Sequence, residues 1–193
     1  DQLVALGLSA EQTGLEIHNA RLSDANRRYT DYLYRRLQRR GTLHRDCQRM
    51  VNQDRNVFAA LMVAQGDADA MVTGLTRSFA TCYKDITLVI DPRAGQRVFG
   101  VSVVVTRKRT VFIADTTVNE LPTTEELAEI AVQTAAKARQ MGHEPRVAFL
   151  SFSNFGQYMR GRAEHVRDAV ALLDQRRIDF EYDGEMSADV ALD

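Results

Sequence analysis

The chain has 193 residues, a formal net charge of −1, 45% hydrophobic residues and 26% charged ones. That is enough chain to bury one large core or two small ones, and the near-neutral charge argues against a dedicated nucleic-acid binder. No apolar run approaches the roughly 20 residues that cross a bilayer, and no basic-then-apolar leader opens the chain. Cys47 and Cys82 form neither a zinc motif nor a disulfide framework, so a reducing cytoplasm is the expected compartment. Asp1 in place of an initiating Met reads as a processed chain or a fragment.

In chain order, residues 1–20 are weakly patterned. Ser23 is placed to cap a helix that runs to Arg40 and stops at Gly41. Within it Tyr29, Leu33 and Leu37 fall at i, i+4 and i+8, a core stripe and not a base-stacking platform. A second helix opens at Thr42 with Leu43, Cys47, Met50 and Val51 on one face, and a third runs from about Asn56 to Gln65. Arginines 21, 27, 28, 35, 36, 39, 40, 45, 49 and 55 crowd this region against Asp24, Asp31, Asp46 and Asp54. They read either as a solvated helical face or as a cationic wall turned toward phosphates. A strand is expected at 69–73, then a helix capped by Ser78 with Phe79, Tyr83, Ile86 and Ile90 on one side.

Asp91-Pro92-Arg93-Ala94-Gly95 breaks the chain, and a domain boundary is expected there, separating 1–93 from 94–193. Val98–Thr106 and Thr110–Ala114 read as a strand pair across the basic turn Arg107-Lys108-Arg109. Thr123 to Glu126 is a capping box for a helix that Gly142 stops. A strand at 147–152, a helix at about 160–176 and a strand at 178–182 follow. The alternation of strand and helix predicts an α/β fold with a largely parallel run.

Ligands of open α/β sheets sit beyond the carboxyl ends of strands, which singles out particular loops. From Gly74 to Lys84, a glycine turn leads into a helix N-terminus that presents free backbone N–H groups and the positive end of the helix dipole. Arg77, Ser78, Thr81 and Lys84 add donors and charge suited to a phosphate, a carboxylate or a thioester carbonyl. The spacing matches neither a Walker loop nor a dinucleotide fingerprint, and plain helix capping explains it equally. Ser153-Asn154-Phe155-Gly156 offers hydroxyl and amide hydrogen bonds without charge, and is equally a tight turn. Asp115 with Asn119 reads as structural support for neighbouring loops. Asp183, Glu185 and Asp189 are an acidic cluster that reads as a solvated turn before a metal site. His18, His44, His143 and His165 are scattered, and no nucleophile-and-base pair is legible; no catalytic residue and no metal site is expected.

Several spaced segments carry a resemblance. Gly66-Asp67-Ala68-Asp69-Ala70-Met71-Val72-Thr73-Gly74, Val111 to Asp115 with Val118-Asn119, Pro122 to Ala131, Glu144 to Ala148 and Asp183-Gly184-Glu185-Met186 together resemble phosphotransacetylases. More closely they resemble the phosphotransacetylase-like C-terminal domain of large bacterial NADP-dependent malic enzymes. Leu150 to Gly156 is similar to the malic-enzyme version of that loop. The resemblance implies two α/β domains of the isocitrate/isopropylmalate dehydrogenase type, incomplete at the C-terminus. It implies acetyl-CoA and phosphate in the cleft between them and dimers formed through the second domain. A family substrate-binding arginine aligns with Lys84 and a second with Leu37, while the family's Ser-Arg and Asp catalytic segment falls beyond Asp193. Lysine keeps the charge and loses the bidentate fork.

The implied function is an acetyl-CoA-binding regulatory and oligomerisation domain of a hybrid malic enzyme. Acetyl-CoA is the expected effector, with contacts from Arg77, Ser78, Thr81, Lys84, Ser153 and Asn154. NADP, a divalent metal and the decarboxylation of malate would belong to an N-terminal malic-enzyme portion. A homodimer or higher homo-oligomer is expected, without nucleic-acid or membrane partners. The alternatives are a fragment of a phosphate acetyltransferase and a purely structural dimerisation domain.

Overall fold

The computed structural model describes residues 5–7, 14–156 and 161–193, and the chain divides into two compact units, Asp1–Asp91 and Pro92–Asp193. The expected helix start at residue 160 and most of the weakly patterned opening lie outside the described residues. Residues 14–20 contain neither helix nor strand.

The first unit is helical. Helices α1 (Asn26–Leu37), α2 (His44–Gln53), α3 (Arg55–Ala64) and α4 (Phe79–Val89) follow in order, with a 3₁₀ turn at Gln38–Arg40 extending α1. The stripe predicted on α1 is buried, Tyr29, Leu33 and Leu37 packing with Cys47, Val51, Val57, Phe58, Ala60, Leu61 and Val89. Tyr29 meets Phe58 edge-on at 5.3 Å between ring centroids. Its hydroxyl donates to Asp67, and burial together with that hydrogen bond pushes the phenol up to about 12. Part of the arginine run is held by acids of the same unit: Arg28 by Asp67, Arg36 by Asp91 and Arg49 by Asp46.

Local starts differ from expectation in instructive ways. Ser23 accepts from Ala25 N at 3.3 Å in the turn ahead of α1, which begins at Asn26. The second helix begins at His44, with Leu43 in the cap position. The strand expected at 69–73 is not formed: residues 70–74 carry no ladder, and Val72 is fully exposed. A strand requires a partner, and no strand is present in this unit among the described residues to supply one.

The second unit holds the sheets. Strands β1 (Val101–Val105) and β2 (Thr110–Ala114) pair antiparallel, with Val101 opposite Ala114 and Val105 opposite Thr110. Helix α5 (Thr124–Gln140) starts on the predicted capping box, Thr123 and Glu126 exchanging side-chain and backbone hydrogen bonds. Replacing Thr123→Ala removes a cap worth about 1 kcal/mol, read as a lowered midpoint in urea unfolding. Then β3 (Arg146–Leu150), α6 (Arg162–Asp174) and β4 (Glu181–Met186) form a parallel βαβ unit, and a short helix α7 (Ala188–Leu192) ends the chain. Ala128, Ala131, Phe149, Ala169 and Leu173 make its core.

Among the described residues the expected parallel run is confined to β3 and β4, because β2 pairs only with β1 there. The last strand also lies later than predicted, at 181–186 instead of 178–182. Ile178 N is spent on Arg176 O in a turn, and the ladder with β3 begins at Glu181. Gly184 explains how the acidic segment can be a strand. Its φ is +150°, and a Cβ there would lie 2.7 Å from Phe149 Cβ and 2.8 Å from Phe149 O. Only glycine allows β4 to run this close to β3. Among the described residues no helix is long and apolar enough to cross a membrane.

Candidate functional site

The first element is the α4 N-terminus. Ser78 caps it, its Oγ accepting from Thr81 N at 3.3 Å and lying 3.0 Å from Thr81 Oγ1. Both hydroxyl residues are exposed. The Phe79 and Ala80 N–H groups begin the helix, where no preceding turn offers an acceptor. An anion is favoured there by those donors and by the dipole. Lys84, one turn past Thr81, is exposed and has no ion-pair partner among the described residues. Phe79, on the expected apolar side, is half exposed and stacks on Tyr83 with ring centroids 5.8 Å apart.

Arg77 sits differently. Its Nη1 donates to both Asp54 oxygens at 2.9 Å and to Asp85 Oδ2 at 3.0 Å. Asp54 in turn caps α3 by accepting from Asn56 N and Val57 N. Asp85 is buried and also accepts from Asn56 Nδ2 at 2.9 Å, and Thr73 Oγ1 donates to Asn56 Oδ1 at 2.6 Å. Burial pushes the Asp54 carboxyl up, but the Arg77 hydrogen bond and the helix N–H groups outweigh it and hold it below the usual carboxylate range. The Asp54 hydrogen bond, followed by the field of both acids, raises the guanidinium. Arg77 thus binds the Gly74 turn to α3 and α4, and Lys84 is the cation of this segment left uncommitted.

The second element is the loop after β3. Ser153 is 3% exposed, and its hydroxyl donates to Glu185 Oε1. Gly156 N donates to the same oxygen at 3.2 Å, and Phe155 N donates to the Glu185 carbonyl at 2.9 Å. Asn154 Oδ1 accepts from Ser187 N at 2.7 Å. Because a backbone N–H can only donate, that contact assigns the amide orientation and turns Nδ2 away as a donor with no partner among the described residues.

Of the acidic cluster read as a solvated turn, Asp183 and Glu185 instead lie in β4, with Glu185 0% exposed, while Asp189 lies in the first turn of α7. Sequence reasoning missed Glu185 as a site residue. The available signal was Gly184, whose close packing on Phe149 draws its neighbour inward. No group of His, Cys, Asp and Glu able to hold a metal is present among the described residues.

Asp115 and Asn119 form a closed structure at the end of β2. Asp115 Oδ1 accepts from Gly100 N, Thr117 N and Val118 N at 2.9–3.0 Å. Its Oδ2 accepts from Asn119 N at 2.7 Å and Asn119 Nδ2 at 2.6 Å. Burial alone would raise this carboxyl, yet the backbone N–H groups bring it down to about 2. With its acceptors filled it holds the turn and is not free to act on a substrate.

The residues from 2 to 193 match the family described as phosphate acetyl/butaryl transferase. The chain is similar to the NADP-dependent malic enzyme of Rhizobium meliloti (strain 1021), 56% identical over 186 residues that take in 96% of this chain and 24% of that protein. It is similar to the phosphate acetyltransferase of Bacillus subtilis (strain 168), 32% identical over 154 residues, 79% of this chain and 48% of that protein. A solved phosphotransacetylase from Streptococcus pyogenes matches with a TM-score of 0.83 at 28% identity, over 98% of this chain and 59% of that one. EutD phosphotransacetylase from Staphylococcus aureus matches at 0.82 and 25% identity, over 98% and 58%. The mixed α/β fold is therefore that of the phosphotransacetylases, and the chain spans about a quarter of the malic enzyme it matches.

Proposed function

The chain belongs to the phosphate acetyl/butaryl transferase family, and we propose that it is the acetyl-CoA-binding regulatory and oligomerisation domain of an NADP-dependent malic enzyme. The observation that carries this reading is the commitment of Arg77 to Asp54 and Asp85 while Lys84 has no ion-pair partner among the described residues. A lone lysine gives a point charge suited to holding an anionic ligand, without the bidentate grip on a transferring phosphate. Likeness to a malic enzyme at 56% identity supports the parent activity. That activity, with its NADP and divalent metal, belongs in the proposal to an N-terminal portion of the longer protein.

Ser78 and Thr81 contribute the capped helix end, and Lys84 the charge on the ligand's phosphate or thioester oxygens. Within the second unit Asn154 offers an amide donor on its own loop, and Arg77 and Ser153 each act by shaping the loop they lie on. Self-association through the second unit is supported by β1, where Val103, Val104 and Val105 are all exposed along an uncharged strand. Residual acetyl transfer is the second reading, favoured by 32% identity to a phosphate acetyltransferase.

Calorimetric titration of acetyl-CoA into the full-length protein tests the reading. Lys84→Ala should weaken binding about tenfold, the scale of one charge-assisted contact. Unchanged affinity would remove Lys84 from the site, and formation of acetyl phosphate from acetyl-CoA and phosphate would favour the transferase reading.

A further inference from the structure

Glu185 is the largest unexplained investment of polarity in the second unit. Its carboxyl group is fully buried, Oε1 accepts from Ser153 Oγ and Gly156 N, and Oε2 is buried with no hydrogen-bond partner among the described residues. Removing a carboxylate from water is expensive, and an apolar side chain would fill the same space more favourably. The hydrogen bonds it makes explain why an acceptor stands there. All of them run to one short loop, reinforced by Phe155 N to the Glu185 carbonyl and by Ser187 N to Asn154 Oδ1. The loop is therefore held to the end of β4 on both sides of Asn154.

We propose that Glu185 is a positioning residue that clamps the Ser153–Gly156 loop so that Asn154 Nδ2 is presented as a hydrogen-bond donor to an oxygen of an acyl-CoA ligand. This rests on the acetyl-CoA reading for its ligand, and on the loop geometry alone for the clamp. The clamp consumes the donors of Ser153, Phe155 and Gly156, and the contact with Ser187 consumes the Asn154 carbonyl. Among its side-chain donors, what the loop retains is one amide N–H₂ of fixed orientation. Such a group selects an uncharged or anionic oxygen acceptor without adding charge of its own. A donor on a clamped loop also loses less freedom on binding than one on a free loop.

The test uses the full-length protein, with amide hydrogen exchange for the clamp and calorimetry with acetyl-CoA for the contact. Glu185→Ala should speed exchange of the Gly156 amide at least tenfold, leave the β3 amides of Val147 to Phe149 unchanged, and weaken acetyl-CoA binding at least tenfold. Glu185→Gln keeps an acceptor for Ser153 and Gly156 and puts its amide where Oε2 has no partner, so both readouts should stay within about threefold of wild type. Should the alanine protein fail to fold, Ser153→Ala removes one donor from the clamp and should move both readouts in the same direction by a smaller factor. Asn154→Asp keeps the acceptor for Ser187 N and deletes the donor; it should lose affinity at least tenfold with Gly156 exchange unchanged.

Wild-type protein that does not bind acetyl-CoA overturns the acetyl-CoA reading, whatever the exchange data show. Wild-type binding that Glu185→Ala or Asn154→Asp leaves intact overturns the positioning role alone. Unchanged Gly156 exchange in Glu185→Ala overturns the clamp.

Discussion

The Arg77→Met protein is expected to be less stable than wild type by about 3 kcal/mol, the lower end of the range for breaking a buried ion pair. Its guanidinium group joins Asp54 and Asp85, whose side chains are 27% and 12% exposed. Methionine fills much of the same volume, so the loss is chiefly electrostatic. It leaves the Asp85 carboxylate with Asn56 as its remaining partner and takes from Asp54 the cation that holds its carboxyl low. Denaturant unfolding measures the loss, and a double-mutant cycle assigns it. Asp85→Asn added to Arg77→Met should recover part of the stability, since the uncompensated charge has gone. If Arg77→Met unfolds like wild type but loses acetyl-CoA binding, Arg77 is a ligand residue and its assignment here is wrong.

Asp115→Ala should remove about 2 kcal/mol near neutral pH and flatten the acid limb of the stability profile. Burial pushes the folded carboxyl up, and the N–H groups of Thr117, Val118, Gly100 and Asn119 overcome it, bringing it down to about 2 from the ordinary 3.8. A depressed acid contributes its full stabilisation above the unfolded value, and that contribution is lost as pH falls through the folded one. Wild type should therefore lose roughly 2 kcal/mol from this group between pH 4 and 2. Urea unfolding at pH 7 and at intervals down to pH 2 reads both effects. A mutant that keeps the wild-type slope in that window would show that Asp115 is not the group responsible.

What was legible in the sequence was local. The i, i+4, i+8 spacing of Tyr29, Leu33 and Leu37 places them in the core, and the Thr123–Glu126 box starts α5 where expected. Both signals depend on residues within a few positions of each other. Long-range partners were not legible. Arg77 reads as a free cation at a helix start until Asp54, 23 positions earlier, is brought against it. Glu185 reads as part of a solvated turn until the fold delivers Ser153, 32 positions earlier, to its carboxylate. The strand at 69–73 failed for the same reason in reverse, because its apolar residues fit a strand and no ladder partner is described for them.

Regulation requires that acetyl-CoA bind two states of the enzyme with different affinity, so binding alone does not establish it. Malate-dependent reduction of NADP by the full-length protein, followed across an acetyl-CoA titration, tests the central proposal directly. The account predicts a saturable change in malate turnover, with its midpoint moved to higher acetyl-CoA in the Lys84→Ala protein. A flat response in wild type up to millimolar acetyl-CoA, or one that Lys84→Ala leaves in place, would contradict it.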